Sequence, residues 1–149
     1  MRLSRRMLLG GACLTALGCS LDSPVNEVPL AITVGVSAAT VPTAGAVDIT
    51  VTAQNYGSST VTLTAPPQCP LFFQIQQIGG SVVYRSFDDC GGNPTTRDLE
   101  PGEEFAMTLT WDGRGSTGTR LIGGTYLLRV GALLGTTAVL GSSLTINVE

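Results

Sequence analysis

The chain has 149 residues with eight basic and eleven acidic side chains, a net charge of −3 at pH 7, and every base is an arginine because histidine and lysine are absent. Without those two residues there is no Ser-His-Asp, Cys-His or Ser-Lys catalysis, and zinc and haem lack a ligand set. An acidic balance with no basic cluster also argues against a nucleic-acid partner, whose phosphates need Lys or Arg stripes.

The first six residues carry Arg2, Arg5 and Arg6 and no acid, and the uncharged run Met7–Gly18 follows. As a helix that run spans roughly 18 Å, short of a hydrocarbon core of about 30 Å. A basic start, a short apolar middle and small residues before a break describe an export signal over residues 1–18. The pair in "SRRMLL" resembles a twin-arginine signal, with Leu8 where an aromatic is usual.

"ALGC", Ala16 to Cys19, resembles a bacterial lipobox, with Ala where Leu is commonest. Gly18 is small enough for a signal peptidase, and the Cys19 thiol can take a diacylglycerol. Cys13 would leave an apolar run of only six residues, Met7–Ala12. The plainer alternative makes Cys19 one more small residue of a cleaved signal. The lipid reading predicts an exported protein held to a membrane at Cys19, on its periplasmic or extracellular face. Residues 19–29 are polar, contain Pro24 and Pro29, show no periodicity and read as a flexible tether. From Cys19 onward five arginines face all eleven acids, a net charge of about −6, so membrane contact is expected from acyl chains rather than from charge.

Residues 30–149 are expected to form one β domain. Apolar and polar residues alternate in 31–38, 46–56, 60–65, 71–78 and 81–87, then in 104–111, 124–130 and 142–148, and Gly, Pro, Asn or Asp bound each run. Alternation means one buried and one wet face, as in antiparallel sheets. Eight such strands predict an all-β, antiparallel, immunoglobulin-like sandwich of about eight strands. The stretch 131–140 is either a ninth strand or a long hairpin. Asn55 and Gly57 are expected to bend the chain between two paired strands, and Pro101–Gly102 to centre a type II turn. Phe72 and Phe73 cannot share a face, so one of them should lie at an edge or under a disulfide. Trp111, Phe72, Phe73, Tyr84 and Phe105 fit core packing better than a sugar platform.

Cys69 and Cys90 remain as an even pair in an exported chain, and a Cys69–Cys90 disulfide is the expectation. The segment 86–98, "SFDDCGGNPTTRD", is the candidate partner-binding loop. Cys90 would pin it and Pro94 stiffen it, Asp88, Asp89 and Asn93 are polar contacts, and Arg97 supplies an exposed cation. The alternative is an ordinary hairpin loop held by a disulfide. Asp88, Asp89, Asn93 and Asp98 could hold calcium through oxygens, but the spacing matches no EF-hand and a solvated acidic loop is preferred. Adjacent Asp88 and Asp89 point to opposite faces of a strand and cannot jointly flank a glycosidic bond. The loop 111–120 is a second candidate, expected to be flexible and to cost ordering entropy on binding. No enzyme activity, cofactor, metal or small-molecule substrate is inferred.

"VTAQNYGSSTVTL", "LEPGEEF", the strand ending at Trp111 and "GGTYLLRV" resemble, in that order, the bacterial intracellular proteinase inhibitor (BsuPI-like) family. Asn55, Val61 to Leu63, Tyr84, Leu99 to Glu103, Trp111 and Gly124 to Tyr126 carry the resemblance, which covers roughly residues 46–130. It implies a small β-sandwich that inhibits serine endopeptidases by presenting a surface. This chain departs from the pattern in carrying an export signal and the Cys69–Cys90 pair. The alternative is a structural or adaptor module of the cell envelope.

Overall fold

The computed structural model describes residues 28–65, 69–86 and 95–149. Ten strands follow one another: β1 (Leu30–Val36), β2 (Thr40–Val41), β3 (Val47–Asn55), β4 (Val61–Ala65), β5 (Leu71–Gln77), β6 (Val82–Arg85), β7 (Thr95–Leu99), β8 (Glu104–Trp111), β9 (Gly124–Leu134) and β10 (Thr137–Val148). They build an all-β sandwich of two sheets. One sheet is antiparallel in the order β1-β3-β8. The other is mixed and organised around β9, which pairs with β10 and β5 antiparallel and meets β4 in parallel at Leu134. Short β2 runs parallel to the end of β10, β6 flanks β5, and β7 flanks β4. Among the described residues no helix is long and apolar enough to cross a membrane.

Period-two alternation explains most of these elements. In β3 Val47, Ile49, Val51 and Ala53 point inward and are buried, whereas Asp48 and Gln54 are exposed. They join Phe73, Ile75, Leu128, Val130 and Ile146 of the opposite sheet in one core. Burying each large side chain contributes about 1.5–3 kcal/mol. β5 breaks the alternation, since Leu71, Phe72 and Phe73 are all buried. Phe73 enters the main core, while Phe72 points the other way into a small second cluster with Leu133. The two phenylalanines thus take opposite faces, as their adjacency requires.

Of the two alternatives for 131–140 the hairpin is the one found: β9 runs on to Leu134, Gly135 turns the chain at φ 64°, and β10 begins at Thr137. Two other features differ from expectation. Thr95–Leu99, expected to be the end of a loop, is strand β7, held by β4 in the register Thr62↔Asp98 and Leu63↔Arg97. The Asn55–Gly57 bend does not join paired strands, because β3 and β4 lie in different sheets.

That crossover is built on Asn55, which is fully buried. Its side-chain amide donates to the carbonyls of Ser59 (2.8 Å) and Leu99 (2.9 Å), and its Oδ1 accepts from Gly57 N–H at 2.9 Å. Its backbone N–H donates to Glu103 O and its carbonyl accepts from Gly102 N–H. One residue therefore ties the crossover, the end of β7 and the turn before β8. That turn is as expected, with Gly102 at φ 82° and Glu103 N–H bonded to Glu100 O.

The pairing of β10 with β9 is irregular between Leu140 and Ser143. Gly141, in that irregularity, lies against β1, and a Cβ on it would fall 2.4 Å from both Cβ and the carbonyl oxygen of Ile32. Gly141→Ala is therefore expected to push the hairpin off β1 and lower stability by about 1–3 kcal/mol, measured by chemical denaturation.

Candidate functional site

Two loops were singled out by sequence, and the structure treats them differently. For the segment 86–98 it describes the two flanks. At the entry, Ser86 is buried and its hydroxyl accepts from Phe73 N–H at 2.9 Å. Cys69 is also fully buried, with its sulfur 3.7 Å from the Ser86 carbonyl oxygen. The structure carries Cys69 as a disulfide-bonded cysteine, so its sulfur has no proton to donate to that carbonyl. Asp88, Asp89, Cys90, Asn93 and Pro94 lie outside the described residues, as do the signal segment and Cys19.

At the exit, Arg97 sits on strand β7 rather than in a loop. Its guanidinium pairs with Glu103 Oε1 and lies over the Phe105 ring, 5.6 Å from the centroid. Glu103 in turn accepts from the Glu100 N–H through Oε2 at 2.9 Å. Both partners are substantially exposed, so the pair stabilises by under about 1 kcal/mol. Its consequence is positional, since Arg97 is committed to the sheet surface. Asp98, the fourth candidate calcium oxygen donor, is likewise on β7 and accepts from the Thr62 hydroxyl at 2.6 Å.

The loop 111–120 was expected to be flexible, and the structure corrects this. Trp111 is buried, forms an aromatic cluster with Phe73 and Tyr84 at centroid distances of 6.5 and 6.1 Å, and donates its indole N–H to Arg114 O at 2.9 Å. Asp112 accepts from the Arg114 N–H and pairs with Arg114 Nε at 3.0 Å, while the other end of that guanidinium donates to Gly118 O at 2.7 Å. Gly113 and Gly118 have φ near +78° and +76°, the left-handed turns that glycine permits without strain. Backbone bonds Gly115 N–H to Thr119 O, Leu121 N–H to Gly113 O and Ser116 N–H to Val83 O complete the frame.

Arg120 locks this frame to the sandwich. Its guanidinium donates to Asp112 O (2.7 Å), Pro42 O (2.6 Å) and Glu149 O (3.2 Å). Four glycine and serine positions, read in isolation, suggested mobility. The bonds that remove it come from residues far away in sequence. A cavity of about 390 Å³ lies beside the loop, lined by the 43–46 turn, Asp112, Arg114 and Arg120. Arg114 is the exposed cation here, with 56% of its side-chain surface open to solvent. Sequence reasoning did not single it out, although "WDGRG" combines an Asp-Gly turn signal with a basic residue.

No protein-family model matches the chain, and no curated protein matches it. Solved structures with a similar fold include a β-glucosidase from Erythrobacter marinus, at 14% identity and a TM-score of 0.51 over 80% of this chain and 15% of that one. An alkylpurine DNA glycosylase from Pseudomonas fluorescens, bound to DNA containing an abasic site analog, matches at 11% identity and a TM-score of 0.53, over 81% of this chain and 30% of that one. A β-glucosidase from Listeria innocua in complex with gluconolactone matches at 11% identity and a TM-score of 0.50, over 80% and 16% of the respective chains. At such identities the likeness is one of fold. This chain spans less than a third of the length of any of the three.

Proposed function

We propose that this protein is a lipid-anchored, extracytoplasmic β-sandwich that acts by binding another protein, with serine endopeptidase inhibition as its specific form. The proposal keeps Cys19 as the lipid site and the Cys69–Cys90 disulfide as the staple of the segment 86–98. The observation that carries it is the preorganised loop 112–120. An inhibitory loop must be ordered before it meets its target, because each side chain immobilised on binding costs about 0.5–1.5 kcal/mol. Here Trp111, Asp112 and Arg120 order the loop in advance, and Arg114 stands at its exposed side. Protease pockets accept such a cation. The resemblance to BsuPI-like inhibitors supports the same reading.

A second reading is a non-inhibitory structural or adaptor module of the cell envelope. It draws support from where the bonds of Arg120 go. They hold the loop to the segment after β2 and to the residue after β10, so the loop also has a purely structural task. The two readings part in a titration of the full chain against subtilisin-like and trypsin-like serine endopeptidases. Inhibition at one-to-one stoichiometry is expected for one class. Arg114→Ala is then expected to weaken it at least about tenfold, the loss of roughly 1.4 kcal/mol of contact, with the melting temperature little changed. Arg97→Ala, on β7, is expected to leave it unaltered. Full protease activity at saturating protein would sink the inhibitor reading and leave the adaptor.

A further inference from the structure

Edge strands carry unpaired backbone donors and acceptors, and proteins ordinarily blunt them with charge, proline, bulges or a covering segment. The edges of this sandwich differ sharply in that respect. β1 is covered, since Gly141 of β10 packs on the Ile32 carbonyl that faces its open side. β6 has its Val83 carbonyl occupied by the N–H and hydroxyl of Ser116. β7 is five residues long and carries the charged pair Arg97 and Asp98, and β2 has two residues. Among the described residues none of these protections runs along β8, and the one charge from another strand, Arg97 of β7, lies over the Phe105 ring near its start. β8 is eight residues long, pairs with β3 without a register shift, contains no proline, and bears one charge, Glu104, at its start.

The free side of β8 can be assigned residue by residue. Asn55 N–H bonds to Glu103 O, so the hydrogen-bonded pairs with β3 continue at every second position, through Phe105, Met107, Leu109 and Trp111. The N–H and C=O groups of Glu104, Ala106, Thr108 and Thr110 therefore face away from β3. No described residue takes them up.

We propose that β8 pairs antiparallel with β8 of a second copy of this chain across a two-fold axis at Met107, joining two three-stranded sheets into one of six. Charge and overlap select this register. With Met107 on the axis, Ala106 faces Thr108 and Glu104 faces Thr110, so residues 104–110 all pair and no charge meets a like one. Moving the axis to Thr108 sets Glu104 against Asp112, and moving it to Ala106 pairs only residues 104–108. Odd-step shifts would place inward side chains opposite outward ones. A parallel pairing is not closed by a two-fold axis and would leave edges to propagate.

The test uses the full chain in detergent micelles. Met107 across the axis forms a non-hydrogen-bonded pair, with Cα atoms about 4.5 Å apart, inside the range a disulfide spans. Met107→Cys is expected to give, under mild oxidation, a dimer band on a non-reducing gel that the wild-type chain lacks. Leu109→Cys should give none. Thr108→Pro removes an N–H that faces the free edge, no backbone bond to β3 and one exposed hydroxyl contact with Thr50 (3.0 Å), so in the Met107→Cys background it is expected to abolish the band with only a small change in melting temperature. Sedimentation of the wild-type protein should show dimer mass falling to monomer on dilution. A monomer at every concentration with no Met107 band would overturn the proposal. So would a band that is strongest with Thr108→Cys, or one that survives Thr108→Pro.

Discussion

Trp111→Ala is expected to lower the stability of this domain by about 3–5 kcal/mol, the range for removing a large buried aromatic from a packed core. Trp111 is almost fully buried and meets both Phe73 and Tyr84, so alanine leaves a cavity between the two sheets. The same substitution removes the indole N–H that holds Arg114 O. The two effects separate with Trp111→Phe, which keeps an aromatic ring in the core with a far smaller cavity and removes the donor. That variant is expected to lose about 1–2 kcal/mol. It should also release the loop 112–120 selectively, seen as faster amide exchange at Gly115, Gly118 and Leu121, whose N–H groups close the loop frame. Unchanged exchange there would mean that the bonds of Arg120, Arg114 and Ser116 hold the loop without the indole.

Asn55→Ala is expected to cost about 3–4 kcal/mol, because it strands several polar groups at once. The carbonyls of Leu99 and Ser59 lose their donor and Gly57 N–H loses its acceptor, and an unsatisfied buried group costs about 1–3 kcal/mol. Asn55→Asp makes the sharper comparison. It keeps the acceptor for Gly57 but loses both donors and sets a carboxylate against two carbonyl oxygens. Burial and those dipoles would raise the folded-state pKa of the new carboxyl above its unfolded value. Its protonated form is then the better tolerated one in the fold. The deficit of Asn55→Asp relative to wild type should therefore be smallest at acidic pH and grow as pH rises through the raised pKa. Denaturation curves at pH 4 and pH 7 decide the matter, and an equal deficit at both would contradict this account of Asn55.

Much of the candidate site could be read only in part from sequence. Arg97 was recognisable as an exposed cation, and 46% of its side chain is open. Its place on a strand was not, since Thr95–Leu99 is short, follows Gly-Gly-Asn-Pro and becomes a strand only because β4 offers matching positions thirty or more residues earlier. The loop 112–120 was legible as a turn-rich segment and misread as mobile. Its ordering depends on carbonyls at Pro42 and Val83 and on Glu149, and no local rule connects these to Arg120 or Ser116.

What the sequence determined by itself is everything that rests on steric preferences between near neighbours. The alternation in β3, β8 and β9 assigns a buried and an exposed face because successive side chains must point to opposite sides of a strand. Phe72 and Phe73 divide between two clusters for the same reason, and Pro101–Gly102 turns because proline restricts φ and glycine accepts a positive one. The tertiary structure alone decided which strands share a sheet. It sent β4 across to the opposite layer from β3, made Asn55 the buried tie at that crossing, covered the edge of β1 with Gly141 and left the edge of β8 without a partner strand among the described residues. Those outcomes depend on hydrogen bonds and contacts between residues distant in the chain, whose partners exist only once the two sheets have closed on a common core.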